Sequence, residues 1–228
     1  MGAREWGLDV KAYYKDDLCT LFHGDCREVL QSVPKANLIL TDPVWPNAVR
    51  GKNELKGAAD PYGLFASALW SMPHLPERMV IVLRSDSDPR FLSAVPKALI
   101  FFRCQILSYA VPGYIGRKLG GDEIAYGFGR PIPSSIGKRL IPGWSPKAQP
   151  QSKNGHPCSR ALCHFEWLIK WWTCPGDLVV DPFAGIGTTL VAAKRAGHQA
   201  IGIEIERKFC RMAADRLSET SPMMCPDG

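Results

Sequence analysis

The stretch Leu178-Val-Val-Asp181-Pro-Phe-Ala-Gly185-Ile-Gly187-Thr-Thr-Leu190 decides the fold. An apolar run reads as a buried strand and ends in Asp181. A tight turn carrying Gly185 and Gly187 follows, and a helix opens at Thr188. Strand, glycine turn and helix in this order form the unit that binds nucleotide-like ligands at the carboxyl edge of a parallel sheet. The glycines let the backbone approach a ligand closely. The N–H groups at the helix start can hold a carboxylate. There is no G-x-x-x-x-G-K-[ST] string, which argues against a nucleoside triphosphate. A second strand, Gln199-Ala-Ile-Gly-Ile-Glu204, ends in another acid 23 residues after Asp181. An acid at that place can accept from both hydroxyls of a ribose. A generic β-turn-α unit with a capping acid has the same outline. The full Asp-Pro-Phe-x-Gly-x-Gly-Thr-Thr string, joined to the second acid, favours the cofactor site.

Outward from this turn, short apolar runs alternate with amphipathic segments. Strands are expected at Thr20–His23, Asn37–Thr41, Met79–Leu83, Leu99–Leu107, Ile124–Phe128, Leu178–Val180 and Ala200–Ile203. Helices are expected at Cys26–Ser32, Tyr62–Ser71, Arg160–Thr173, Thr188–Ala196 and Arg207–Leu217. This alternation predicts an α/β fold with a mostly parallel sheet covered by helices on both faces. With 228 residues, the chain is expected to form one domain, 1–228. The segments 46–61, 112–121 and 131–157 read as long functional loops, and 218–228 as a flexible tail.

Net charge is +6, from 28 basic and 22 acidic side chains, which fits a polyanionic partner. The bias is local: between Gly113 and Lys153 lie seven basic residues against only Asp122 and Glu123. The eight cysteines include no C-x-x-C pair, and the spacings around His156, Cys158, Cys163 and His164 match no usual zinc site, so no metal is expected. No secretory signal opens the sequence, and no apolar run reaches the ~18 residues of a membrane span. A cytoplasmic protein with free thiols and no membrane partner is the expectation.

Three further strings sharpen the reading. Asn37-Leu-Ile-Leu-Thr41 runs into Asp42-Pro43-Val44-Trp45-Pro46. Leu21-Phe-His-Gly-Asp25-Cys26 follows the first long strand, and His156-Pro157-Cys-Ser-Arg-Ala161 precedes a helix. Together with Asp181–Leu217 these resemble the amino-directed DNA methyltransferases, the adenine-N6 and cytosine-N4 enzymes. The order of the strings, with the catalytic one ahead of the cofactor turn, resembles the circularly permuted β class. No separate target-recognition domain fits, so the chain resembles a short form.

The resemblance implies a Rossmann-like class I methyltransferase fold, with a seven-stranded sheet containing one antiparallel strand. Asp122–Gly129 is similar to the family's late edge strand. The cofactor implied is S-adenosyl-L-methionine. The residues implied to hold it are Asp25, Cys26, His156, Pro157, Asp181, Pro182, Phe183, Ala184, Gly185, Gly187, Thr188, Thr189 and Glu204. By analogy Asp25 would accept from the adenine amino group of the cofactor, and the Cys26 backbone would face N1. The family string His-Pro-Thr-x-Lys-Pro is matched only at His156 and Pro157.

Asp42-Pro43-Val44-Trp45 resembles the catalytic Asp-Pro-Pro-Tyr. An exocyclic amine is a poor nucleophile because its lone pair is delocalised into the ring. Two acceptors facing its hydrogens draw the nitrogen toward a tetrahedral shape and stabilise the growing positive charge. Asp42 and the Pro43 carbonyl are the implied acceptors, and Trp45 would stack on a base flipped out of the duplex. No covalent intermediate is needed, so no catalytic cysteine or serine is sought. Val44 departs from the family's proline, bringing back a backbone N–H and loosening the turn. Asp at the first position favours adenine N6; cytosine-N4 transfer and a non-catalytic cofactor- or DNA-binding relative are the alternatives.

The implied substrate is double-stranded DNA, with Arg50, Lys52, Arg117, Lys118, Lys138 and Arg139 as candidate phosphate contacts. Trp144 and Tyr114 are candidates for stacking on bases or for packing. Trp167, Trp171 and Trp172 read as helix-packing residues. A small recognition surface points to a short target or a homodimer, and a restriction-modification setting implies a cognate nuclease.

Overall fold

Strands that carry the two decisive strings lie side by side although 140 residues separate them. The computed structural model describes residues 11–45, 56, 59–109, 113–115, 118–120, 123–130, 132, 142–148 and 160–222. The elements are β1 (Tyr14–Lys15), β2 (Cys19–His23), α1 (Cys26–Val29), β3 (Leu38–Thr41), α2 (Pro61–Trp70), β4 (Arg78–Arg84), β5 (Phe101–Leu107), β6 (Gly113–Ile115), β7 (Lys118–Gly120), β8 (Glu123–Gly129), α3 (Leu162–Trp172), β9 (Leu178–Asp181), α4 (Thr188–Arg195), β10 (Gln199–Glu204) and α5 (Arg207–Ser218). One sheet has the order β1-β2-β10-β9-β3-β4-β8-β5, and β6 and β7 form a separate antiparallel pair.

The late strands β9 and β10 insert between the early strands β2 and β3, and all four run parallel. β8 is antiparallel to both β4 and β5. From β2 to β5 the sheet thus has the expected seven strands with one reversed. The two-residue β1 adds an eighth, antiparallel to β2. The edge assignment needs correction. β8 is interior, and β5 takes the edge, because β8 bonds β4 along one side and β5 along the other.

Strand periodicity divides the core. Leu38, Leu40, Val80, Val82 and Val179 face one layer with Phe165, Leu168, Trp172, Leu190 and Ala213 of α3, α4 and α5. Ile39, Met79, Ile81, Val180 and Ile201 face the other, with Val29, Phe65 and Leu69. Alternate residues point to opposite faces, so a run apolar at every position is covered on both. Trp172 is fully buried and donates from Nε1 to Gln105 Oε1 at 2.5 Å, while Trp167 and Trp171 pack at the cluster's margin. Below the site, Asn37 Oδ1 accepts from the Leu178 N–H at 2.9 Å, and Arg78 pairs with Asp177 at 2.6 Å, locking β3, β4 and β9 at their starts. No described helix is long and apolar enough to cross a membrane.

Candidate active site

Because β2, β10, β9 and β3 are parallel neighbours, their carboxyl ends meet at one edge of the sheet. Glu204 and Asp181 are the last residues of β10 and β9, and Asp25 and Asp42 lie just past the ends of β2 and β3. They border one cleft of about 210 Å³. The cleft is also lined by Cys26, Pro43, Trp45, Pro182, Phe183, Ala184, Gly185, Thr188 and Thr189. The sheet topology therefore brings three separate strings to a single place.

Asp181 joins the two halves. Its carboxylate accepts from Thr41 Oγ1 at 2.7 Å, from Thr189 Oγ1 at 2.5 Å and from the Phe183 N–H at 3.0 Å. Thr41 ends β3, and Thr189 lies in the first turn of α4. Asp181 is thus the tie between the glycine turn and β3, and burial raises its carboxyl to about 6. Glu204 accepts from the Gly185 N–H at 2.9 Å and from the Glu206 N–H at 2.6 Å. Those bonds fix the turn against the end of β10. Burial raises Glu204 to about 7, against the pull of the two N–H donors.

Asp25 caps α1, accepting from the Arg27 N–H at 2.9 Å and pairing with its guanidinium. The Arg27 hydrogen bonds hold its carboxyl below the usual range. Burial pushes the Cys26 thiol up to about 12, which leaves it protonated and unsuited to nucleophilic attack. Gly187 does not line the cleft. It caps α4 with φ of 75°, and a Cβ there would lie 3.0 Å from that of Ala213, so it serves the contact between α4 and α5.

Asp42 leaves β3 with its side chain 18% exposed. Burial is the main cause of its rise to about 7; Glu123 and Asp181 push the same way, and Arg160 opposes them. Arg160 was not anticipated as a site residue. Its Nε lies 2.7 Å from Asp42 Oδ2, its Nη1 3.1 Å from Glu123 Oε1, and its guanidinium 4.0 Å from the Trp45 ring centre. Trp45 is 4% exposed and donates from Nε1 to the Val82 carbonyl at 3.3 Å. The expected stacking face of Trp45 is therefore covered by Arg160. No described non-glycine residue has a positive φ, so Val44 fits its turn without backbone strain.

Comparison with known proteins gives this arrangement a family. Residues 30–215 match the N6 and N4 methyltransferase model described as DNA methylase. The chain belongs to this DNA methylase family. YubD of Escherichia coli (strain K12), whose methylase name is itself an inference, is 28% identical over 222 residues, covering 88% of this chain and 91% of that protein. Among solved structures, M1.HpyAVI in complex with SAM superposes with a TM-score of 0.63 at 23% identity, over 87% of this chain and all of that one. The PvuII DNA methyltransferase, cytosine-N4-specific, gives 0.66 at 19% identity, over 92% of this chain and 89% of that one. These likenesses establish a class I methyltransferase fold for this DNA methylase.

The methylase cleft suits a cationic ligand. Asp25, Asp42, Asp181, Glu204 and Glu206 line it against Arg27, Lys56 and Arg160. Three of those acids are held above their ordinary values by burial, so a positive charge placed among them relieves part of that cost. Arg160 occupies the place of Lys in the family's His-Pro-Thr-x-Lys-Pro string, and that shared cation is the signal by which it could have been found. Seven sequence-predicted residues lie outside the described ones: Arg50, Lys52, Arg117, Lys138, Arg139, His156 and Pro157. Lys118 is described only as backbone, in β7. Trp144 is 65% exposed, in keeping with a surface contact rather than a packing role.

Proposed function

We propose that this chain transfers a methyl group from S-adenosylmethionine to the exocyclic N6 of a flipped-out adenine in double-stranded DNA. The observation that carries the reading is the meeting of Asp42, at the end of β3, with the Asp181 turn, at the end of β9, around one cleft. Asp181, Pro182, Phe183, Ala184, Gly185, Thr188, Thr189 and Glu204 would hold the cofactor, with Asp25 and Cys26 at the far end. Three acids raised by burial fit the positive charge of that cofactor. S-adenosylmethionine supplies an electrophilic methyl group.

The chain's own residues then act on the amine. Asp42 and the Pro43 carbonyl accept its two hydrogens and draw the nitrogen lone pair out of the ring. As positive charge grows on nitrogen, the Asp42 carboxylate stabilises it. With a carboxyl at about 7, Asp42 can also take the departing N–H proton and pass it to water. Asp at position 42 is what favours adenine. The cytosine-N4 reading uses the same two acceptors, and the cytosine-N4-specific PvuII enzyme shares the fold. DNA phosphates would meet the basic loops. A homodimer and a cognate nuclease complete the proposed setting.

The test is incubation with labelled cofactor and unmethylated DNA, followed by nucleoside mass spectrometry. N6-methyladenine is expected. N4-methylcytosine would replace the base assignment. Cofactor binding with no product on any nucleic acid would make the chain a non-catalytic relative.

A further inference from the structure

Arg160 makes the contacts that the proposed chemistry asks of the target base. Its guanidinium is a flat π group lying 4.0 Å from the Trp45 ring centre. Its Nη2 donates to Asp42 Oδ1 at 3.3 Å, and its Nε lies 2.7 Å from Oδ2 as an ion-pair contact. A flipped adenine would place its ring on the same indole and its amino hydrogen on the same carboxylate. Both cannot be there, because the guanidinium already sits at stacking distance. Trp45 is nearly enclosed, and its indole N–H is held by the Val82 carbonyl, so the ring is fixed in place for whatever covers it.

A second anchor makes departure feasible. Arg160 Nη1 lies 3.1 Å from Glu123 Oε1. Glu123 is 6% exposed at the start of β8, and its other oxygen accepts from the Tyr109 hydroxyl at 3.1 Å. The guanidinium can leave Asp42 and Trp45 while keeping Glu123, so its charge never becomes unpaired in a buried site. Such orphaning is what makes breaking a buried pair costly.

We propose that Arg160 is a placeholder for the target base, filling the base position in the resting protein and withdrawing onto Glu123 when a flipped base enters. This rests on reading Asp42 and Trp45 as the base site. The device keeps Asp42 paired until the substrate amine replaces the guanidinium. It also removes a positive charge from the place where the amine becomes positive. Its cost is competition: an occupant present in about nine molecules of ten weakens apparent base affinity about ten-fold.

The experiment uses the full chain with the cofactor cleft filled by S-adenosylhomocysteine, titrated with 9-methyladenine and 1-methylcytosine by NMR. The variant is Arg160→Ala combined with Glu123→Gln, so that no buried carboxylate is stranded at Glu123. Its S-adenosylhomocysteine affinity, compared with the parent's, checks that the cleft has folded. The expected result is base binding about ten-fold tighter than the parent. A merely structural or positioning role for Arg160 would weaken binding or leave it unchanged, and either outcome overturns the placeholder. Trp45→Ala in the same background separates the two failures. If base binding depends on Trp45 but is not tightened by removing Arg160, the placeholder alone is wrong. If base binding ignores Trp45, the reading of the base site is wrong and the placeholder falls with it.

Discussion

Replacing Asp181 by Asn should stabilise the folded protein at neutral pH. Asp181 is 3% exposed, and its carboxyl rises from 3.8 to about 6, with burial the leading cause. A raised acid contributes stability that is complete below its unfolded value and is lost as pH climbs through its folded value. The window here runs from about 4 to about 6. Above it the ionised form costs about 3 kcal/mol relative to the neutral one. Asn never ionises, and the geometry lets it keep every hydrogen bond. Its Oδ1 accepts from Thr41 and from the Phe183 N–H as the carboxylate does. Its Nδ2 donates to Thr189 Oγ1, whose proton then turns to the Leu40 carbonyl at 3.5 Å. Removing this charge also lowers Asp42 and Glu204, both of which it pushes up. The expected gain is about 1–3 kcal/mol at pH 8, shrinking toward zero near pH 4. Urea denaturation of both proteins at pH 4.5, 6 and 8, comparing midpoints and slopes, reads it directly. A variant less stable than the parent at pH 8, or a difference that ignores pH, would refute the reasoning. Cofactor affinity should fall in the same variant, since a negative group leaves the cleft.

Other outcomes can be checked in parallel. Transfer needs Asp42 as carboxylate, so kcat/KM should rise with pH through about 7 and then level; a fall across that range would refute the acceptor role. Asp42→Ala should abolish transfer while the cofactor still binds, by calorimetry, with affinity lowered no more than in Asp181→Asn, since one acid leaves the cleft in each. Glu204→Gln sets an amide donor against one of the two backbone N–H groups it serves, so cofactor affinity should drop by about 1.5–3 kcal/mol, roughly ten-fold or more, in a binding titration. Asp177→Ala strands the buried Arg78 guanidinium and should cost about 3–5 kcal/mol of stability in denaturant; a change within 1 kcal/mol would show that Glu77 suffices as partner.

Much of the fold was legible because its signals are local. Apolar runs at Asn37–Thr41, Met79–Leu83 and Leu178–Val180 differ from the observed strands by a residue or two at the ends, since an interior strand needs apolar side chains on both faces. The two-residue β1 carries too short a pattern to see. β6 and β7 are three residues each and lack an apolar run. The interior place of β8 was misread because neighbour order is a property of pairing across the sheet, not of the strand's own residues.

Taken by itself, the sequence determined the strand–turn–helix units, the strings that carry acids at strand ends, and the family to which those strings point. Each is written in contiguous residues and follows from side-chain periodicity and glycine's backbone freedom. Only the tertiary structure decided what those acids touch. Inserting β9 and β10 between β2 and β3 puts Asp181 against Thr41 and makes it the tie between the two halves of the site. The same packing lays Arg160 between Asp42, Glu123 and Trp45. Long-range burial, which no window of sequence contains, sets the charge state of Asp42 and chooses the side chain that covers Trp45.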